Sequence, residues 1–225
     1  MKRYSLVKAA LAVQLAYAGS GAITEPGAEV LVLLHDYAGI PEETLEKAIA
    51  RAESAFHGIG VKTTWLNYPV QGVPPAEAAR YRPRKGQVRL LVRLVPDSMV
   101  TPEAHSHGHL GYSLVPADGI SAYICGVYAA RAERLSVRYG SPASLVLGTV
   151  MAHELGHLLL GANSHSSTGI MSIPVTAETL KLAGQGWLGF SRTEAKRILR
   201  NLSRRLSDGA TAATATAAAS PNPSQ

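Results

Sequence analysis

A chain of 225 residues with 46% hydrophobic and 17% charged residues has the balance of one globular domain that can bury a core. Its net charge of +6 admits an acidic partner. The basic residues are scattered, however, apart from one run (Arg80, Arg82, Arg84, Lys85, Arg89 and Arg93), which reads as a solvated face rather than a nucleic-acid platform. The single cysteine, Cys125, excludes an intramolecular disulfide and a cysteine zinc cluster; its apolar flanks predict an inert buried thiol.

In chain order, Lys2 and Arg3 precede an apolar stretch over residues 9–18 that ends in Ala16-Tyr17-Ala18. This is the layout of a secretory signal peptide over 1–18, which predicts a secreted or periplasmic protein; the alternative is an N-terminal helix of a cytoplasmic one. The stretch is too short to span a membrane as a helix. Glu29–His35 (EVLVLLH) is an apolar run suited to a buried strand. Pro41, Glu42 and Glu43 open a helix whose apolar residues recur at helical spacing from Leu45 to Phe56, and Gly58 ends it. Strands are predicted at Val61–Leu66, Gln87–Val95 and Ile120–Val127, with a Pro- and Arg-rich surface loop over 68–85. Residues 128–139 predict a helix. Another is predicted from Ser141, as its cap, and Pro142 to about Leu160. The last helix runs from Ser191 to about Arg204, with Ser191 and Glu194 forming a capping box. The domain therefore spans 19–206, and the Ala-, Thr- and Pro-rich residues 207–225 predict a disordered tail.

The predicted helix ending at Leu160 is apolar on most sides, yet it carries His153, Glu154 and His157. Buried polar groups are costly alone, so these three need a compensator. Histidines four apart share a helix face and can converge on one ion. Glu154, one residue on from His153, lies beside that ion, where a carboxylate can take a proton from metal-activated water. A bare HExxH arises by chance in on the order of one in a hundred chains of this length, so context decides. Here the context is a long core helix that stops at Gly161, with His165 soon after as a third ligand. Glu178 is the rival third ligand; Glu194 is better explained by its capping box. His105, His107 and His109 could hold a second metal, although a polar loop without one is the better reading.

His153-Glu154-Leu155-Gly156-His157, followed by Gly161, His165 and Gly169-Ile170-Met171, resembles the metzincin zinc peptidases, whose pattern is HExxHxxGxxH with a following Met-turn. It is also similar to short bacterial proteins with the pattern HELGHLLLG…HS…GIM. Gly161 stands one residue late, and His165 two residues late, against the metzincin spacing. The resemblance implies an α/β (α+β) fold with a small twisted mixed sheet, an N-terminal helix, a buried active-site helix, a Met-turn at Met171 and a C-terminal helix. It implies one Zn2+ on His153, His157 and His165, with Glu154 as general base in peptide-bond hydrolysis. From family order alone, residues 109–116 would be an edge strand for an extended substrate. The expected partner is a peptide or protein substrate, with no nucleic acid, no stable membrane insertion and a monomeric state. Two other functions stay open: a non-catalytic zinc-stabilised binding module, and a zinc hydrolase acting on a non-peptide substrate.

Overall fold

The computed structural model describes residues 28–100, 109–117 and 121–218. The signal-peptide segment, His105, His107 and residues 219–225 lie outside the described residues. Five strands form one sheet: β1 (Glu29–Asp36), β2 (Lys62–Asn67), β3 (Gln87–Val95), β4 (Gly111–Leu114) and β5 (Ile124–Tyr128). Their order is β2-β1-β3-β5-β4, and every pairing is parallel except that of the edge strand β4, which runs antiparallel to β5.

The unbroken apolar run of β1 follows from its central place in the sheet, because a strand covered on both faces needs no polar alternation. Val30, Val32 and Leu34 point into the main core, whereas Leu31 and Leu33 join Tyr81 in a second cluster on the opposite face. Tyr81 interrupts the basic run and is buried there, while Arg80, Arg82, Arg84, Lys85 and Arg89 are exposed. That run is a solvated surface around one aromatic anchor.

The helices are α1 (Glu42–His57), α2 (Ala129–Tyr139), α3 (Ala143–Leu160), α4 (Ala177–Gly184) and α5 (Arg192–Ala218). Helix α3 is the HELGH helix, and it lies in the main core between the sheet and the other helices. By length and hydropathy alone α3 could cross a membrane, but 78% of it is buried inside this fold. The mixed α/β class expected from sequence is present, including the helix before β2, the core helix and the C-terminal helix.

Four local details differ from expectation. Ser141 does not cap α3: Pro142 holds the N-cap position, with φ −55° and ψ 135°, and no side chain caps the helix. β5 begins at Ile124 rather than Ile120. Helix α4 was not expected; Thr176 starts it by accepting a hydrogen bond from the Thr179 amide at 3.2 Å. Helix α5 passes the expected end near Arg204 and continues to Ala218, into the segment expected to be disordered. Alanine is the best helix former, so an Ala-rich stretch can extend a helix already started by tertiary packing. The capping box itself is present, with the Ser191 amide donating to Glu194 Oε2 at 2.7 Å and the Glu194 amide to Ser191 Oγ at 3.3 Å.

Candidate metal centre

One turn of α3 sets His153 and His157 side by side, and the loop after the helix brings in the third histidine. Gly161 ends α3 with φ 92°, a value that side-chain-bearing residues rarely adopt, while its amide closes the helix on the His157 carbonyl at 2.8 Å. The loop then folds on itself, the Ser166 amide donating to the Met171 carbonyl at 3.1 Å. His165 is thereby held over the helix. His157 Nε2 lies 3.0 Å from His153 Nε2 and 3.0 Å from His165 Nε2. Of the two extra residues, one falls before Gly161, in the last turn of α3, and the other is absorbed by this folded loop, in which Asn163 takes a left-handed φ of 54°.

The far sides of the rings fix which nitrogen faces inward. His153 Nδ1 lies 2.8 Å from the Ile170 carbonyl, which can only accept; Nδ1 therefore carries the proton and Nε2 presents a lone pair. His157 Nδ1 pairs with Ser164 Oγ at 2.8 Å. Burial first, then the neighbouring rings, holds His157 down at about 3, and burial also lowers His153, so both rings are neutral at ordinary pH. With Nε2 of His153 unprotonated, one proton on His157 Nε2 cannot serve both 3.0 Å contacts. Three imidazole nitrogens converging in this way fit a shared cation better than a hydrogen-bonded cluster. Their spacing is near the roughly 3.3 Å between tetrahedral ligands about 2.0–2.1 Å from zinc. These three histidines are the set that could hold a metal ion among the described residues.

The support beneath them comes from the segment around Met171. Met171 is fully buried against Gly156 of α3. The Ile170 amide donates to the Gly189 carbonyl at 2.9 Å, and the Ile170 carbonyl accepts from His153. The Gly-rich segment 184–189 thus steadies His153 through one intervening residue, Ile170, a role that no pattern in the sequence announces.

Glu154 is buried at 6% exposure. Burial raises its carboxyl to about 7, against an opposing hydrogen bond from Ser113. Ser113 Oγ donates to Glu154 Oε2 at 2.7 Å and also lies 2.9 Å from the Glu154 carbonyl. Gly111, on the same edge strand, leaves room for the carboxylate: a Cβ at that position would stand 2.7 Å from Glu154 Oε1 and 2.6 Å from the Gly126 carbonyl. Sequence reasoning missed Ser113, Ser164 and Gly111, since each acts across a fold contact and none belongs to the HExxH pattern.

The other candidates fall elsewhere. Glu178 is exposed and sits 3.9 Å from Lys181, apart from the histidine set, so it is not the third ligand in this arrangement. Glu194 is held in its capping box. His109 lines the cavity in front of Glu154 without joining the three histidines, and its carbonyl accepts from Arg131. Residues 111–114 do form the edge strand expected there. Cys125 is fully buried, and burial first, then Glu154, pushes its thiol well above the usual range, as an inert core thiol requires.

No protein-family model and no curated protein matches the chain. Among solved structures, the crystal structure of archaemetzincin from Methanopyrus kandleri matches over 81% of this chain and 99% of that one, at 17% identity and a TM-score of 0.44. At that distance the likeness assigns neither ligand nor activity to this chain. The site defines a three-histidine centre with a buried carboxylate beside it.

Proposed function

We propose that the protein is a zinc-dependent endopeptidase, with His153, His157 and His165 as metal ligands and Glu154 as general base and then general acid. The observation that carries this reading is the convergence of three imidazoles, with His157 Nε2 lying 3.0 Å from Nε2 of His153 and of His165, in the same cavity as a buried carboxylate. A zinc ion, when bound, supplies the Lewis acid that polarises a carbonyl and makes water a nucleophile near neutral pH. The chain supplies the rest. His153 and His157 are oriented by the Ile170 carbonyl and Ser164, which keeps their Nε2 lone pairs facing inward. Ser113 occupies Glu154 Oε2, leaving Oε1 to accept a proton from water and pass it to the leaving amine. A carboxyl poised near 7 by burial suits both transfers.

A purely structural zinc site has no use for a general base, which is the reason to prefer catalysis over a binding module. Glu154→Gln tests this directly. The variant keeps its zinc and loses peptide hydrolysis by roughly 100-fold or more. Full activity in Glu154→Gln overturns the mechanism. Zinc-loaded wild type that cleaves nothing in a broad peptide mixture favours the binding module.

A further inference from the structure

In front of Glu154 and the histidines lies a cavity of about 870 Å3. Among the described residues only two formally charged side chains line it, Glu154 and Arg138. Arg138 is exposed near the C-terminus of α2, its guanidinium 5.6 Å from the centre of the Tyr139 ring, and it makes no ion pair among the described residues. A cation laid over an aromatic face is partly ordered before any anion arrives. A second observation points into the same space. Thr149 lines the cavity and is 2% exposed, yet its hydroxyl has no hydrogen-bond partner. A helical threonine commonly bonds a carbonyl one turn back, and a buried hydroxyl left alone is costly, so a ligand oxygen that reaches this group relieves that cost. Leu135 and Val150 line the same cavity and give it an apolar wall.

We propose that this part of the cavity is a carboxylate subsite, in which Arg138, assisted by Thr149, receives a substrate carboxylate beside the scissile bond. The inference rests on the peptidase reading and names the substrate class it selects. A guanidinium fork matches a carboxylate in two parallel hydrogen bonds. The apolar wall suits the methylene stem of a residue that carries one. In a peptide the carboxylate comes either from an acidic side chain or from the chain terminus.

The test uses full-length, zinc-loaded Glu154→Gln protein, with and without Arg138→Gln. The probes are N-acetylated Ala-Ala-Glu-Ala-Ala and its Gln counterpart, each with a free or an amidated C-terminus, and binding is read by calorimetry. Acid-bearing probes bind roughly fivefold tighter, the size expected of a solvent-accessible ion pair, and Arg138→Gln abolishes the difference. Preference for Glu over Gln assigns the subsite to a side chain; preference for the free over the amidated end assigns it to the terminus. No preference, or a preference that survives Arg138→Gln, overturns the subsite. Wild-type hydrolysis of a peptide mixture is measured alongside. Cleavage without carboxylate preference sinks the subsite alone, whereas no cleavage together with no probe binding sinks the peptidase reading and the subsite with it.

Discussion

Ser113 reaches the Glu154 carboxylate from the edge strand, 41 residues away in sequence, and its hydroxyl stabilises the ionised form. Removing it raises the carboxyl's pKa further. Ser113→Ala therefore moves the acid limb of the rate–pH profile to higher pH and lowers turnover at neutral pH by about tenfold, with zinc content unchanged. An unmoved acid limb would show that Ser113 does not tune the base. At this scale the sequence was legible only where the chemistry is local. His153, Glu154 and His157 lie within one helical turn, so their spacing alone placed them. Ser113 and Ser164 act through contacts that only the fold creates, and serine is too common in surfaces and turns for its type to signal a role.

Among the elements, α3 packs tightly against α1 at Gly148. A Cβ there would stand 2.3 Å from the Ala48 carbonyl oxygen and 2.8 Å from Arg51 Cβ. Alanine would gain about 1 kcal/mol in helix propensity. The clash falls on backbone, however, and overpacking costs typically 1–3 kcal/mol. The net prediction for Gly148→Ala is a lower midpoint in thermal or denaturant unfolding, and a more stable variant would contradict the close packing. Element positions were read well where hydrophobic period and length agree, as in β1, β3 and α1. Helix α4 was missed because eight residues between a proline and a Gly-rich turn carry too little periodicity to stand out. The end of α5 was misplaced because composition argued for disorder while the packed face of the helix starts it and alanine prolongs it.

Across the whole molecule, the centre joins the core helix, the loop after it, the segment around Met171 and the edge strand. A ligand bound there stabilises the fold as a unit. Zinc at about 1,000 times its dissociation constant adds roughly 4 kcal/mol to unfolding, seen as a rise in melting temperature that chelation reverses. An unchanged melting temperature would argue against tight binding by the folded state. The overall α/β architecture was legible from the order of strands and helices. The pairing of β4 with β5 and the support of His153 by segment 184–189 depend on contacts between distant parts of the chain. The most direct test of the metal centre is the zinc content of purified full-length protein, compared with that of His165→Ala. Three-histidine coordination predicts about one zinc per wild-type chain and a large loss in His165→Ala; zinc absent from the wild type, or undiminished in the variant, would contradict it.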